Sequence, residues 1–167
     1  MSTRNVKIYY IAALHALRSA SEQGAAKAPL LVEKAKNSEV QEIARAYGEL
    51  ADRHEQQIAT FMSEVGVEPN GFKDRVMEGV GNGTDEMLKA ASDDVIDLGV
   101  ISGAETGAQY YRNAFIGQPA MAEALGFGDQ APRWSAMADE WQAIEDRLGK
   151  AAKTAMQTAM QDEHEAA

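Results

Sequence analysis

The stretch VQEIARAYGELADRHEQQIATFMSEV, residues 40–65, decides the fold. Val40, Ile43, Tyr47, Leu50, His54, Ile58, Phe61 and Val65 follow one another at steps of three or four, so these side chains share one face of a single long helix. An imidazole therefore points into a helical core. A buried ring nitrogen needs a partner there: a carboxylate, a hydroxyl, a water or a metal. Ser38, with Gln41 completing a capping box, predicts the start of this helix, and Gly66 followed by Pro69 predicts its end.

Three further segments carry the same spacing. Upstream, Val6, Tyr10, Leu14, Leu17, Ser21, Gly24, Ala28 and Leu31 predict a first helix capped by Ser2 or Thr3, with a late kink at Pro29. Downstream, Leu98, Ile101, Glu105, Ala108, Arg112 and Phe115 predict a third helix capped by Asp93 or Asp94 and bent at Gly117-Gln118-Pro119. Trp134, Met137, Trp141, Ile144, Leu148 and Ala152 form the inner face of a fourth, capped by Asp129. Between the pairs lies a crossover, residues 67–93. Its glycines at 71, 79, 81 and 83 predict two short helical pieces, one around Phe72–Val80 and another after Thr84. The tail, residues 150–167, keeps helix formers but loses large aliphatic residues, so its end is expected to fray. The pattern predicts one all-α domain over residues 1–167, a ferritin-like four-helix bundle of two up-down pairs.

Composition narrows the function classes. The 167 residues include no cysteine, which excludes disulfides, thiolate catalysis and cysteine-bound clusters and suits a reducing compartment. A formal net charge of −10 with no basic patch disfavours nucleic acid and anionic membrane surfaces. Met1 to Lys7 leads directly into the amphipathic pattern without a signal core, and no stretch is long enough to span a membrane, so a cytoplasmic location is expected. No serine, histidine and acid combine into a nucleophile–base set, and no Gly-rich loop follows a strand.

From Ile11 to Leu148 the chain resembles the YciE/YciF-like bacterial stress proteins, a ferritin-like family. The resemblance rests on Leu17, Ala20, Gln23 and Pro29, then Gly66 with Pro69, then Met77-Glu78-Gly79 and Asp97. It continues through Leu125-Gly126 and through Asp139-Glu140 and Glu145 to Leu148. It implies carboxylates on all four long helices around a di-iron or di-manganese centre. Laid on this chain, the implied ligand positions fall on Ser21, Leu50, Ala108 and Trp141, and the third-helix ligand run falls on Ala108, Gln109, Tyr110 and Tyr111. A ligand is replaced on every helix, which reads as a centre filled by packing.

His54, Glu105 and Glu140 remain inward, with Glu22 and Glu49 flanking. Two readings follow. These three residues hold one iron, manganese or zinc ion in a reduced site, or His54 is a core histidine hydrogen-bonded to Glu105 or Glu140 that fixes helix register. The second is favoured, with no cofactor and no catalysis: a stress-associated, non-catalytic bundle. His15 falls at the edge of its stripe, and His164 stands in an acidic tail. Tyr9-Tyr10 and Tyr110-Tyr111 read as core or interface, and Met156 with Met160 as packing on the chain's own bundle. Ile8, Tyr9, Ile11 and Leu14 give the first helix a second apolar face, from which a homodimer is expected.

Overall fold

Two helical hairpins, joined by a crossover helix, build the core in the computed structural model, which describes the backbone of residues 3–166 and the side chains of residues 3–161. The first hairpin is α1 (Thr3–Lys34) with α2 (Ser38–Val65); the second is α4 (Ile96–Ile116) with α6 (Ala131–Ala166). The crossover carries α3 (Arg75–Ala90), and a short α5 (Gln118–Ala124) with a 3-10 turn at Gly128–Gln130 links α4 to α6. The described residues contain no strand. No helix among them is long and apolar enough to cross a membrane.

The apolar periodicity of residues 40–65 survives intact, since every residue of that stripe is buried. Gly66 closes α2 in the left-handed conformation (φ 78°), with its own N–H and that of Val67 bonded to carbonyls of the last turn. The start differs from expectation. Asn37, not a Ser38 capping box, is the N-cap, its side-chain oxygen accepting from the N–H groups of Glu39 and Val40. Gln41 instead donates to the Ala35 carbonyl at 2.8 Å. Asp97, in the first turn of α4, clamps the same bend from outside by accepting from the N–H groups of Lys36 and Asn37.

α1 runs on through Pro29 to Lys34; Ser2, one of its two expected caps, lies outside the described residues. Neither Asp93 nor Asp94 caps α4: Val95 precedes it without a side-chain cap, and Asp93 pairs with Lys36. The core face of α4 is also rotated from the expected stripe. Val100, Ile101, Ala104, Gly107, Ala108, Tyr111 and Phe115 are buried, while Leu98, Glu105 and Arg112 are only half-buried. Asp129 does not cap α6 but sits in the 3-10 turn. The tail continues as helix through Ala166; Ala152 and Ala155 still touch the core, yet Met156 and Met160 are exposed rather than packed on the bundle. The side chain of His164 lies outside the described residues.

The largest departure is α3, one continuous helix where the glycines predict two pieces. Each interior glycine weakens a helix by about 1 kcal/mol relative to alanine, but tertiary contacts outweigh that here. Met77, Thr84 and Leu88 are buried against the bundle. Asp74, itself buried, caps the helix through the Met77 N–H at 2.8 Å and accepts the Tyr110 hydroxyl at 2.5 Å. Its backbone N–H donates to Ser19 Oγ, and its carbonyl accepts from the Gln23 amide. One aspartate thus ties the crossover to both α1 and α4. Asp74→Ala should cost about 1–3 kcal/mol by removing the cap and orphaning the Tyr110 hydroxyl, with Asp74→Asn losing less; urea denaturation of the two variants checks the order.

Candidate functional site

The middle layer of the bundle is aromatic. Trp141 of α6 stacks on Tyr111 of α4 with ring centroids 4.4 Å apart and planes at 17°, and Tyr47 of α2 meets the Trp141 ring edgewise at 5.0 Å. All three are buried. Tyr111 donates its hydroxyl to the Ala20 carbonyl of α1 at 2.6 Å. Two glycines make room for these hydroxyls. A Cβ on Gly24 would lie 2.2 Å from the Tyr111 oxygen, and one on Gly107 would lie 2.3 Å from the Tyr47 oxygen. Burial holds both phenols protonated, well above their ordinary range.

The positions that the resemblance marks for metal ligands all belong to this closed interior: Ser21, Ala108 and Trp141 are fully buried and Leu50 is 5 % exposed. Between them they offer one hydroxyl and one indole nitrogen, and no carboxylate. That donor set does not fit a di-metal pair, which needs several anionic oxygens to balance its charge. Of the remaining candidates, the structure brings together two. His54 Nε2 lies 2.7 Å from Glu140 Oε2, and Arg53 donates to the other carboxylate oxygen at 2.6 Å. Glu105 is elsewhere, on the half-buried flank of α4, where its charge bears on Glu145 beside Arg112. Glu22 is exposed and pairs with Arg18, and Glu49 is exposed. Among the described residues no three histidine or acidic side chains gather as a metal site.

His54 is 2 % exposed, with its ring between Trp141 and Phe115, each centroid 5.7 Å away. Desolvation lowers its pKa below the ordinary imidazole value, outweighing the hydrogen bond and charge of Glu140, which act the other way. The ring is therefore neutral near pH 7, and since a carboxylate only accepts, Nε2 carries the proton. Nδ1 finds no hydrogen-bond partner among the described residues, nor do Ser21 Oγ and Trp141 Nε1. Partial burial pushes Glu140 up, but the His54 hydrogen bond and Arg53 together outweigh it and leave its pKa lowered.

A second polar chain closes the end of the bundle near the start of α6, and sequence reading missed it. Trp134 Nε1 donates to the Tyr10 hydroxyl at 2.8 Å, Tyr10 donates to Gln130 Oε1, and Gln130 Nε2 donates to Glu64 at 2.7 Å. Arg133 holds both oxygens of Glu64 and lies 4.6 Å over the Phe61 ring. Gln130 falls in the 3-10 turn, outside any helical period, so no spacing in the sequence marked it. His15 is half-buried at the edge of its stripe, as read from the spacing.

Comparison with known proteins places this geometry in a family. A family model described as a domain of unknown function, DUF892, matches residues 5–161. No curated protein matches the chain. Among solved structures, the E. coli stress protein YciF superposes with a TM-score of 0.84 at 19% identity, over 91% of this chain and 97% of that one. YcfI from Rhodopseudomonas palustris, provisionally described as a structural protein, superposes with a TM-score of 0.79 at 19% identity, over 89% of this chain and 94% of that one.

Two measurements test the layer. Gly107→Ala should destabilise by about 1–3 kcal/mol, because the Tyr47 hydroxyl has to leave its seat, whereas Gly149→Ala, whose Cβ would meet nothing within 4 Å, should not. The second concerns pH. The folded-state pKa of His54 is lowered, so below about pH 6.5 the unfolded chain binds a proton that the folded chain refuses, and stability falls as pH drops until the folded-state pKa is passed. Glu140, also lowered, adds its own loss further into acid as it protonates. In His54→Asn the decline just below neutrality should shrink to the part carried by His15, whose pKa burial also lowers, while the carboxylate-linked decline remains, as read from urea midpoints across the pH range.

Proposed function

The chain belongs to the DUF892 family and is YciE/YciF-like, and from that premise we propose that it is a non-catalytic, cytoplasmic, stress-associated helical bundle whose central metal-ligand positions have been given over to packing. The observation that carries this reading is the stack of Trp141 on Tyr111, with Tyr47 at its edge, in the layer where Ser21, Leu50 and Ala108 stand in place of carboxylates. Buried acids without a metal are costly, and a tryptophan in their place contributes apolar burial instead. His54 and Glu140 serve as a register lock between α2 and α6: deleting Glu140 leaves the buried Nε2–H of His54 unsatisfied. The descriptions of the two superposable structures, one a stress protein and one provisionally described as structural, suit a bundle that acts by its surface. The absence of cysteine suits a reducing compartment.

Elemental analysis of protein from cells grown in iron- and manganese-rich medium tests the proposal. Iron, manganese and zinc are expected far below one ion per chain, and His54→Ala should lower stability without changing metal content. Near-stoichiometric metal that leaves with His54→Ala would overturn it in favour of a reduced metal site.

A further inference from the structure

The aromatic layer continues outward to a tyrosine at the edge of the bundle. Trp141 stacks on Tyr111, and Tyr110, the residue before it on α4, meets the Tyr111 ring with centroids 5.9 Å apart. In the other direction Phe115 and Trp134 extend the array, at 6.1 Å and then 5.2 Å. The near-parallel stack of an indole on a phenol brings two of the most easily oxidised side chains into face contact.

What separates these groups is where their protons can go. Tyr111 donates to the Ala20 carbonyl, Tyr10 donates to the amide oxygen of Gln130, and Tyr47 has the Tyr111 hydroxyl as its neighbour. None of those acceptors is a base. Trp141 Nε1 has no hydrogen-bond partner among the described residues. Tyr110, by contrast, donates to a carboxylate, Asp74 Oδ2 at 2.5 Å. It is half-buried where α3 meets α4, whereas Tyr111, Tyr47 and Trp141 are buried. A phenol gives up an electron far more readily when a positioned base takes its proton in the same step.

We propose that the layer is a one-electron relay that delivers oxidising equivalents from the bundle interior to Tyr110, with Asp74 as the proton acceptor. The oxidant is a strongly oxidising inorganic radical of the carbonate-radical class. It takes one electron from the Trp141 indole, across packed protein that the radical itself does not enter, and becomes carbonate. The Trp141 radical cation keeps its N–H proton for want of an acceptor. It draws an electron from Tyr110 through the Tyr111 ring while the Tyr110 phenolic proton passes to Asp74 Oδ2. Trp141 is restored, and the products are a neutral Tyr110 phenoxyl radical and a protonated Asp74. A small thiolate at the half-buried Tyr110 returns the electron, Asp74 returns the proton, and a thiyl radical leaves. The oxidised site is thereby moved from the packed core to an edge that a small reductant reaches. This inference goes beyond the reading of the bundle centre as packing; it rests on ring contacts and one hydrogen bond and does not depend on metal content.

Laser flash oxidation of the full chain tests the relay. The sequence has no cysteine, so Ala143→Cys, exposed on α6 two residues beyond Trp141, takes a single ruthenium polypyridyl photo-oxidant. Tyr9→Phe in the same background removes the exposed tyrosine outside the array. Transient absorption should show an indolyl radical giving way to a phenoxyl radical, more slowly in heavy water because the proton moves with the electron. Tyr110→Phe should lengthen the life of the indolyl radical roughly tenfold or more, and Asp74→Asn should do so by at least roughly tenfold, each with helicity by circular dichroism unchanged. Trp141→Phe, which keeps a ring but no indole, should cut the phenoxyl yield roughly tenfold. A phenoxyl signal that survives Tyr110→Phe at full yield, a decay indifferent to Asp74→Asn or to heavy water, or a flash that oxidises no aromatic residue would overturn the proposal.

Discussion

The stack of Trp141 on Tyr111 is the contact on which the centre of this bundle depends, because every long helix has been shaped to fit it. Its rings fill the interior at the level where α1 contributes Ser21 and α4 contributes Ala108, and any larger side chain at those fully buried positions would collide with it or with the packed core around it. The phenols impose a second condition. Their hydroxyls require hydrogen-bonding space inside an apolar interior, and Gly24 and Gly107 provide it by leaving out the Cβ atoms that would otherwise stand there. An aromatic centre of this kind is stable without any ion, whereas a carboxylate centre is stable only when the ion's charge offsets the desolvation of its ligands.

Inside the layer the Tyr111 hydroxyl donates to the Ala20 carbonyl; the other polar contacts stand at its borders, where each performs a positional task. His54 and Glu140 lock α2 to α6 at the edge of the aromatic rings, with Arg53 supporting the carboxylate from solvent. The chain from Trp134 through Tyr10 and Gln130 to Glu64 and Arg133 closes one end. Asp74 fastens the crossover across the side of the bundle. Because that aspartate fixes how α3 lies on α1 and α4, it also fixes which face of α3 is left outward, and the same tether that makes a glycine-rich helix possible presents Val76, Gly79, Gly83 and Met87 to solvent.

How much of this was legible beforehand differs from element to element. For α2 the sequence was nearly sufficient: an apolar stripe with an uninterrupted three-and-four period has one way to be buried, and Gly66 at its end is the residue that reaches a left-handed conformation without strain. The burial of Ser21, Leu50, Ala108 and Trp141 followed from the same periodicity, as did the inward direction of His54. Glu105 was misplaced for a physical reason. Its helix is rich in small residues, Gly99, Gly103, Ala104, Gly107 and Ala108, so the stripe could be drawn through either of two neighbouring faces, and only packing against Tyr47 and Trp141 selects the one that leaves Glu105 at the flank.

Tertiary structure alone decided the rest. Local propensity breaks α3 at its glycines, and contacts far away in sequence restore it, since Ser19, Gln23 and Tyr110 all reach Asp74. The partner of His54 is 86 residues away along the chain, and no spacing within α2 could distinguish Glu140 from Glu105. The sequence by itself determined the all-α class and the inward faces of α1, α2 and α6, because helical period is a local property. Which polar groups meet, how the crossover folds and which apolar face stays open depend on the relative placement of whole helices, which is set by the fit of their side chains against one another.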